Sequence, residues 1–197
     1  GGEDGLGYTA SMFHLFTHAL FKALLFLGAG AVIHFIHSNE MKDMGGLRKY
    51  LPVTHFTFLI ACLAISGVPP FAGFFSKEEI LLAAWEDNKT VFAIALATSA
   101  LTAFYMFRLY FSIFWNKTTE VHHHHGEGTW SMKLPLLILA TCTIFAGFIP
   151  FSGFITSDNI PGEQELHLMF SITPVALALV SIAIAAMMYM KANQKPD

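Results

Sequence analysis

Four long apolar runs, at about 9–37, 91–114, 132–149 and 167–190, alternate with short polar stretches. About twenty apolar residues cross a bilayer core, so each run predicts a transmembrane helix, the third slightly short. Residues 53–86 break this rhythm. They are too long for one simple helix and hold Gly67, Pro69, Pro70 and Gly73 near the middle. Prolines remove backbone donors and clash with the preceding turn, so the segment predicts a discontinuous helix interrupted over 67–76. Its first half covers 54–66. The second half is expected to start at Ser76, where Ser76 and Glu79 make an S-x-x-E capping box and set acid at the positive helix end. The expected fold is all-α: a polytopic transmembrane helix bundle with about five crossings.

The distribution of charge tests whether the broken segment crosses once or turns back. With a single crossing, Lys42, Arg48, Lys49, Lys117, Lys133, Lys191 and Lys195 share one side. The other side holds Glu3, Asp4, Glu86, Asp87, Asp158, Glu163 and Glu165 against one cation, Lys89. A turn-back at the prolines would divide the cations, so one crossing is expected, with the Lys/Arg side cytoplasmic and the N-terminus outward. Composition agrees: 54% hydrophobic and 13% charged residues leave too little polar surface for a soluble domain of 197 residues. A net charge of −3 gives no basic field for nucleic acid. Cys62 and Cys142 lie far apart in apolar runs and are expected to pack. The start, GGEDGLGYTASMF, lacks an initiator Met and the order of a signal peptide, so the chain is expected to be a piece of a longer protein.

Two lysines, Lys22 and Lys77, sit inside membrane-length stretches. An ionisable residue there is costly and reads first as functional. On the first helix Ser11, His14, His18 and Lys22 follow helical spacing over roughly 16 Å, which predicts a polar stripe facing the interior of the assembled protein. Histidine accepts and donates protons near neutrality, so the stripe suits stepwise proton transfer. Alternatively, these groups hydrogen-bond between helices and hold the bundle together. Lys77 is expected in the first turn of the second half-helix, where free N–H groups disfavour an ammonium and favour proton release. Its structural alternative is to satisfy carbonyls freed by the break. Glu78 is open between a coupling charge and a helix-start acid.

Thr98, Ser99, Thr102, Tyr105 and Leu109 form a moderately polar helix face able to host water. Arg108 is expected to snorkel to the interface, or to act as a fixed charge near a half-channel. His34 and His37 fall at a helix end, as interface residues or in proton exchange with water. His55 and His167 start helices without further signal. His122, His123, His124 and His125 resemble a metal site or a tag, but consecutive histidines diverge, and no metal site is expected. The chain carries no dinucleotide, Walker, C-x-x-C or nucleophile-elbow motif, which assigns redox chemistry or ATP hydrolysis to other chains.

The strings FHLFTHALFKALLFLGAGAVIH, MGGLRKYLP, SGVPPFAGFFSKEEIL and AFYMFRLY closely resemble the subunit L family of NADH:quinone oxidoreductase, the distal antiporter-like subunits of respiratory complex I. The likeness is ordered over about 9–115 and looser beyond. It implies a proton-pumping module of two inverted five-helix repeats, each with a broken helix bearing a central lysine or glutamate. By position, 1–115 resembles the second repeat, and 116–197 two further helices before a lateral helix. Lys77 matches the family's lysine of the second broken helix, with Lys22, His18 and His14 leading toward it. The resemblance also implies no cofactor in this chain, with NADH, flavin, iron–sulfur clusters and quinone in other subunits. Implied partners are the other membrane subunits, above all the adjacent antiporter-like one, within the lipid bilayer of a bacterial cell membrane. The alternatives are the large subunit of a multi-subunit cation/proton antiporter, against which MGGLRKYLP speaks, and an inert membrane scaffold.

Overall fold

The structure, a computed structural model, describes residues 6–115, 126–149 and 168–191. Glu3, Asp4, Lys117, His122, His123, His124, His125, Asp158, Glu163, Glu165, His167 and Lys195 lie outside the described residues. Among those described, six α-helices and no strand are found: α1 Leu6–Ile36, α2 Pro52–Ser66, α3 Ala72–Asp87, α4 Lys89–Phe114, α5 Trp130–Phe145 and α6 Leu168–Tyr189. Four stretches are long and apolar enough to cross a membrane: Gly7–Ile36, Lys89–Phe114, Trp130–Phe148 and Phe170–Tyr189. They coincide closely with the four apolar runs. The protein is a multi-pass membrane protein.

The fifth crossing is the pair α2 and α3. Gly67 ends α2 in the left-handed conformation, φ 77°, while its N–H and that of Val68 return to Ala64 and Leu63 carbonyls at 3.0 and 3.1 Å. The prolines then forbid continuation. Contrary to the expected start at Ser76, α3 begins at Ala72, and its N-cap Phe71 makes no side-chain capping bond. The Ser76/Glu79 capping box therefore does not form, and the break spans only 67–71. Gly73 misleads because it looks like a breaker. It lies inside the first turn of α3, where a Cβ would stand 1.8 Å from the Ala64 carbonyl oxygen. Its lack of a side chain lets the two half-helices meet. Lys77 consequently sits in the second turn of α3, beyond most of the dipole effect that was expected to favour release of its proton.

Contacts along α1 and α4 place the halves end to end. On α1, Thr17 meets Ser76 of α3, while Gly28 abuts the Phe58 ring of α2. On α4, Ser99 meets Lys77 of α3, Met106 meets Cys62 of α2 and Tyr110 meets His55 near the start of α2. Both sequences run antiparallel to the broken pair, as a single crossing requires. The core lies between these helices, with Phe13, Phe21 and Leu24 of α1, Phe58 and Ala61 of α2, and Phe107 and Phe114 of α4 all buried. α5 packs on α1 and α2, and α6 packs on α4. Ile94, Ile138 and Val180 remain exposed, as suits side chains bathed in lipid tails.

At the end where α2 starts and α4 finishes, an aromatic cluster closes the bundle. The Tyr110 hydroxyl lies 2.7 Å from His55 Nε2 and accepts from Trp115 Nε1 at 3.2 Å. The Arg48 guanidinium stands 3.8 Å from the Trp115 ring centroid. Nearby, the Glu127 carboxylate accepts the Val53 and Thr54 N–H groups at 3.0 and 2.6 Å and caps α2.

Candidate functional site

Three consecutive residues in the second turn of α3 address three different helices. Successive helical side chains diverge by about 100°, so a short polar run inside a bundle reaches several neighbours. Ser76, fully buried, receives the Thr17 hydroxyl of α1 at 2.9 Å and lies 3.0 Å from His14 Nδ1. Lys77 Nζ donates to Ser99 Oγ of α4 at 3.2 Å. Buried Glu78 accepts the Ser171 hydroxyl of α6. The broken helix is thus the polar hub of the bundle.

A cavity of about 350 Å³ opens beside it, lined on its polar side by His14, His18, Lys77, Thr98, Ser99, Thr102 and Tyr105. The His14 and His18 ring centroids are 5.9 Å apart. The expected polar face of α4 therefore borders this cavity, apart from Leu109, which packs against the core. Gly67 makes room for the lysine, since a Cβ there would stand 3.2 Å from Lys77 Cδ. A second, smaller space between α2, α3, α4 and α6 is bordered by Ser66, Lys77, Glu78, Ser99 and Ser171. The Ser66 hydroxyl is buried there without a hydrogen-bond partner. Lys77 borders both spaces.

Among the expected site residues, His14, His18, Lys77 and Glu78 gather around α3, but Lys22 and Ser11 do not. Both are exposed on this chain, and the Ser11 hydroxyl bonds its own helix at Gly7 O, 2.7 Å. The reason lies in the helix geometry. The buried face of α1 runs through Phe13, Thr17, Phe21 and Leu24, and each four-residue step from His14 rotates about 40° away from it. Two steps put Lys22 outside. Thr17 and Ser171 escaped the sequence reading; Thr17 lies one turn beyond His14, whereas nothing local marks Ser171. Arg108 lies over Tyr189, 5.3 Å from its ring centroid. His34 and His37 are exposed and border a further cavity of about 380 Å³ with Thr54, Glu127 and Lys133. Among the described residues no three His, Cys, Asp or Glu side chains come together as a metal site.

Residues 3–102 match the family model described as NADH:quinone oxidoreductase/Mrp antiporter, TM. The chain belongs to this family. The match takes in α1, the broken helix and the first half of α4, hence the whole cavity-lining set except Tyr105. NAD(P)H-quinone oxidoreductase chain 5 of a Picosynechococcus species is 40% identical over 96% of this chain and 35% of its own length. NADH-quinone oxidoreductase subunit L of Rickettsia felis is 36% identical over 91% of this chain and 30% of its own. The chain thus spans about a third of the length of these curated relatives. A chain in the Mrp complex from a Dietzia species shares the fold, with a TM-score of 0.61 at 20% identity over 92% of this chain and 39% of that one.

Proposed function

We propose that the chain is the second-repeat portion, with the helices that follow it, of a distal membrane subunit of an NADH- or NAD(P)H:quinone oxidoreductase. In this reading it moves protons through His14, His18 and Lys77, coupled to Glu78, while quinone reduction in other subunits drives the cycle. The observation that carries it is Lys77, one turn into the second half-helix and packed against Gly67 of the break, bordering a cavity shared with two histidines. A half-buried ammonium inside a membrane bundle, bonded to a serine hydroxyl and to no carboxylate among the described residues, is costly to keep charged. A lysine able to exchange its proton with nearby imidazoles gives that cost a use. Lys22, exposed here, would face another part of the complete protein. The chain supplies no redox centre in this scheme; NADH, flavin, iron–sulfur clusters and quinone belong to partner subunits. The Lys/Arg-rich end, with Lys42, Arg48, Lys49, Lys133 and Lys191, faces the cytoplasm of a bacterial cell.

Lys77→Ala in the full-length subunit within its complex tests the reading. Proton transport and the NADH oxidation coupled to it should both fall, with assembly preserved. Unaltered transport by the assembled variant would refute it. The second reading, the large subunit of a multi-subunit cation/proton antiporter, draws support from the shared fold of the Dietzia chain. Genes for NADH-oxidising and quinone-binding subunits beside this one favour the first reading, and genes for small antiporter subunits the second.

A further inference from the structure

The hydroxyls around His14 form a chain with two directions. Thr17 Oγ1 lies 2.9 Å from Ser76 Oγ and also 3.2 Å from the backbone oxygen of His14. Ser76 Oγ in turn lies 3.0 Å from His14 Nδ1. With His14 neutral, Thr17 donates to Ser76 and Ser76 donates to Nδ1, leaving the Nε2 proton for the cavity. With His14 protonated, Nδ1–H donates to Ser76, Ser76 donates to Thr17, and Thr17 donates to the His14 carbonyl. Both arrangements use the same three side chains, with one hydroxyl proton each on Thr17 and Ser76, and apart from the proton gained at His14 Nδ1 they differ by hydroxyl rotation. Every polar atom in the chain is satisfied in both.

We infer that Thr17 and Ser76 are positioning residues that act as a reversible hydroxyl switch, letting His14 gain and lose a proton without leaving a buried polar group unpaired. Thr17 and Ser76 are wholly buried, so water cannot take over their part. An unsatisfied partner there would disfavour the state of His14 that leaves it unpaired. The inference rests on the proposed relay role of His14. The titratable groups sharing its cavity are His18 on α1, Lys77 on α3 and Tyr105 on α4, while α2 brings only Ile65.

The test compares Thr17→Val, of nearly the same shape, with Thr17→Ser in the full-length subunit within its complex, reading proton transport against pH. Without the Thr17 hydroxyl, Ser76 loses the acceptor it needs when His14 is protonated. The transport profile of Thr17→Val should therefore move about one pH unit toward acid, and Thr17→Ser should keep the wild-type profile. Thr17→Ala carries the same expectation should the valine variant not assemble. A wild-type profile in the hydroxyl-free variant, or an equal shift in Thr17→Ser, overturns the switch. His14→Ala separates the two claims: wild-type transport in that variant removes the relay and the switch together. Impaired transport there, with an unshifted Thr17→Val, removes the switch alone.

Discussion

Two histidines in this chain each meet a hydroxyl group, and their surroundings part from there. His55 is stacked on Tyr110, with ring planes 18° apart, and its hydroxyl partner is held in turn by Trp115 beneath Arg48. That network ends in packed aromatic rings. His14 meets Ser76, whose second partner Thr17 has an alternative acceptor, and the imidazole borders the cavity of Lys77. The first pairing braces the end of a bundle; in the proposed relay, the second changes state and passes a proton to the adjoining cavity. A histidine–hydroxyl contact is therefore not itself a sign of proton transfer. What distinguishes the two is the adjoining cavity, which His14 shares with a lysine and a second histidine.

Variants can break that contrast in graded steps. His14→Ala should lower proton transport on the order of 100-fold, in the range of a lost proton-transfer group, while the complex still assembles; transport in reconstituted vesicles checks it. Gly73→Ala should rank next, because the new methyl collides with a backbone carbonyl that cannot step aside. The expected loss is about 3 kcal/mol of stability, seen as reduced assembly or a lowered thermal midpoint. Tyr110→Phe should cost about 1–2 kcal/mol by leaving His55 and Trp115 without their shared partner. Transport per assembled enzyme should not change, which would mark the aromatic end as a brace. Smallest is Glu127→Gln, which weakens the charge at the α2 N-terminus by about 1 kcal/mol and should shift only the thermal midpoint.

The bundle was legible because membrane crossing imposes a length: α1, α4, α5 and α6 follow from unbroken apolar runs, and the interruption follows from Pro69 and Pro70. The start of α3 was misread because Gly73 serves two opposite ends, breaking helices in isolation and permitting close approach in packed ones. His14, His18 and Lys77 could be found from residue type and spacing. Thr17 and Ser76 are 59 positions apart, and Ser171 lies 93 from Glu78, so only the folded chain brings these pairs together. Lys22 leaves the buried face of this chain for a quantitative reason. Steps of four residues outrun the helical repeat, and a stripe beginning at the edge of the buried face soon leaves it.

The relay itself turns on whether Lys77 must release its proton or merely supply a positive charge. Lys77→Arg in the intact complex decides between these, since arginine keeps the charge and the donors but does not deprotonate in proteins. Measured as protons moved per NADH oxidised in sealed vesicles, the assembled arginine variant is expected to be impaired about as severely as Lys77→Ala. Normal pumping by that variant would contradict the account and leave Lys77 an electrostatic role alone.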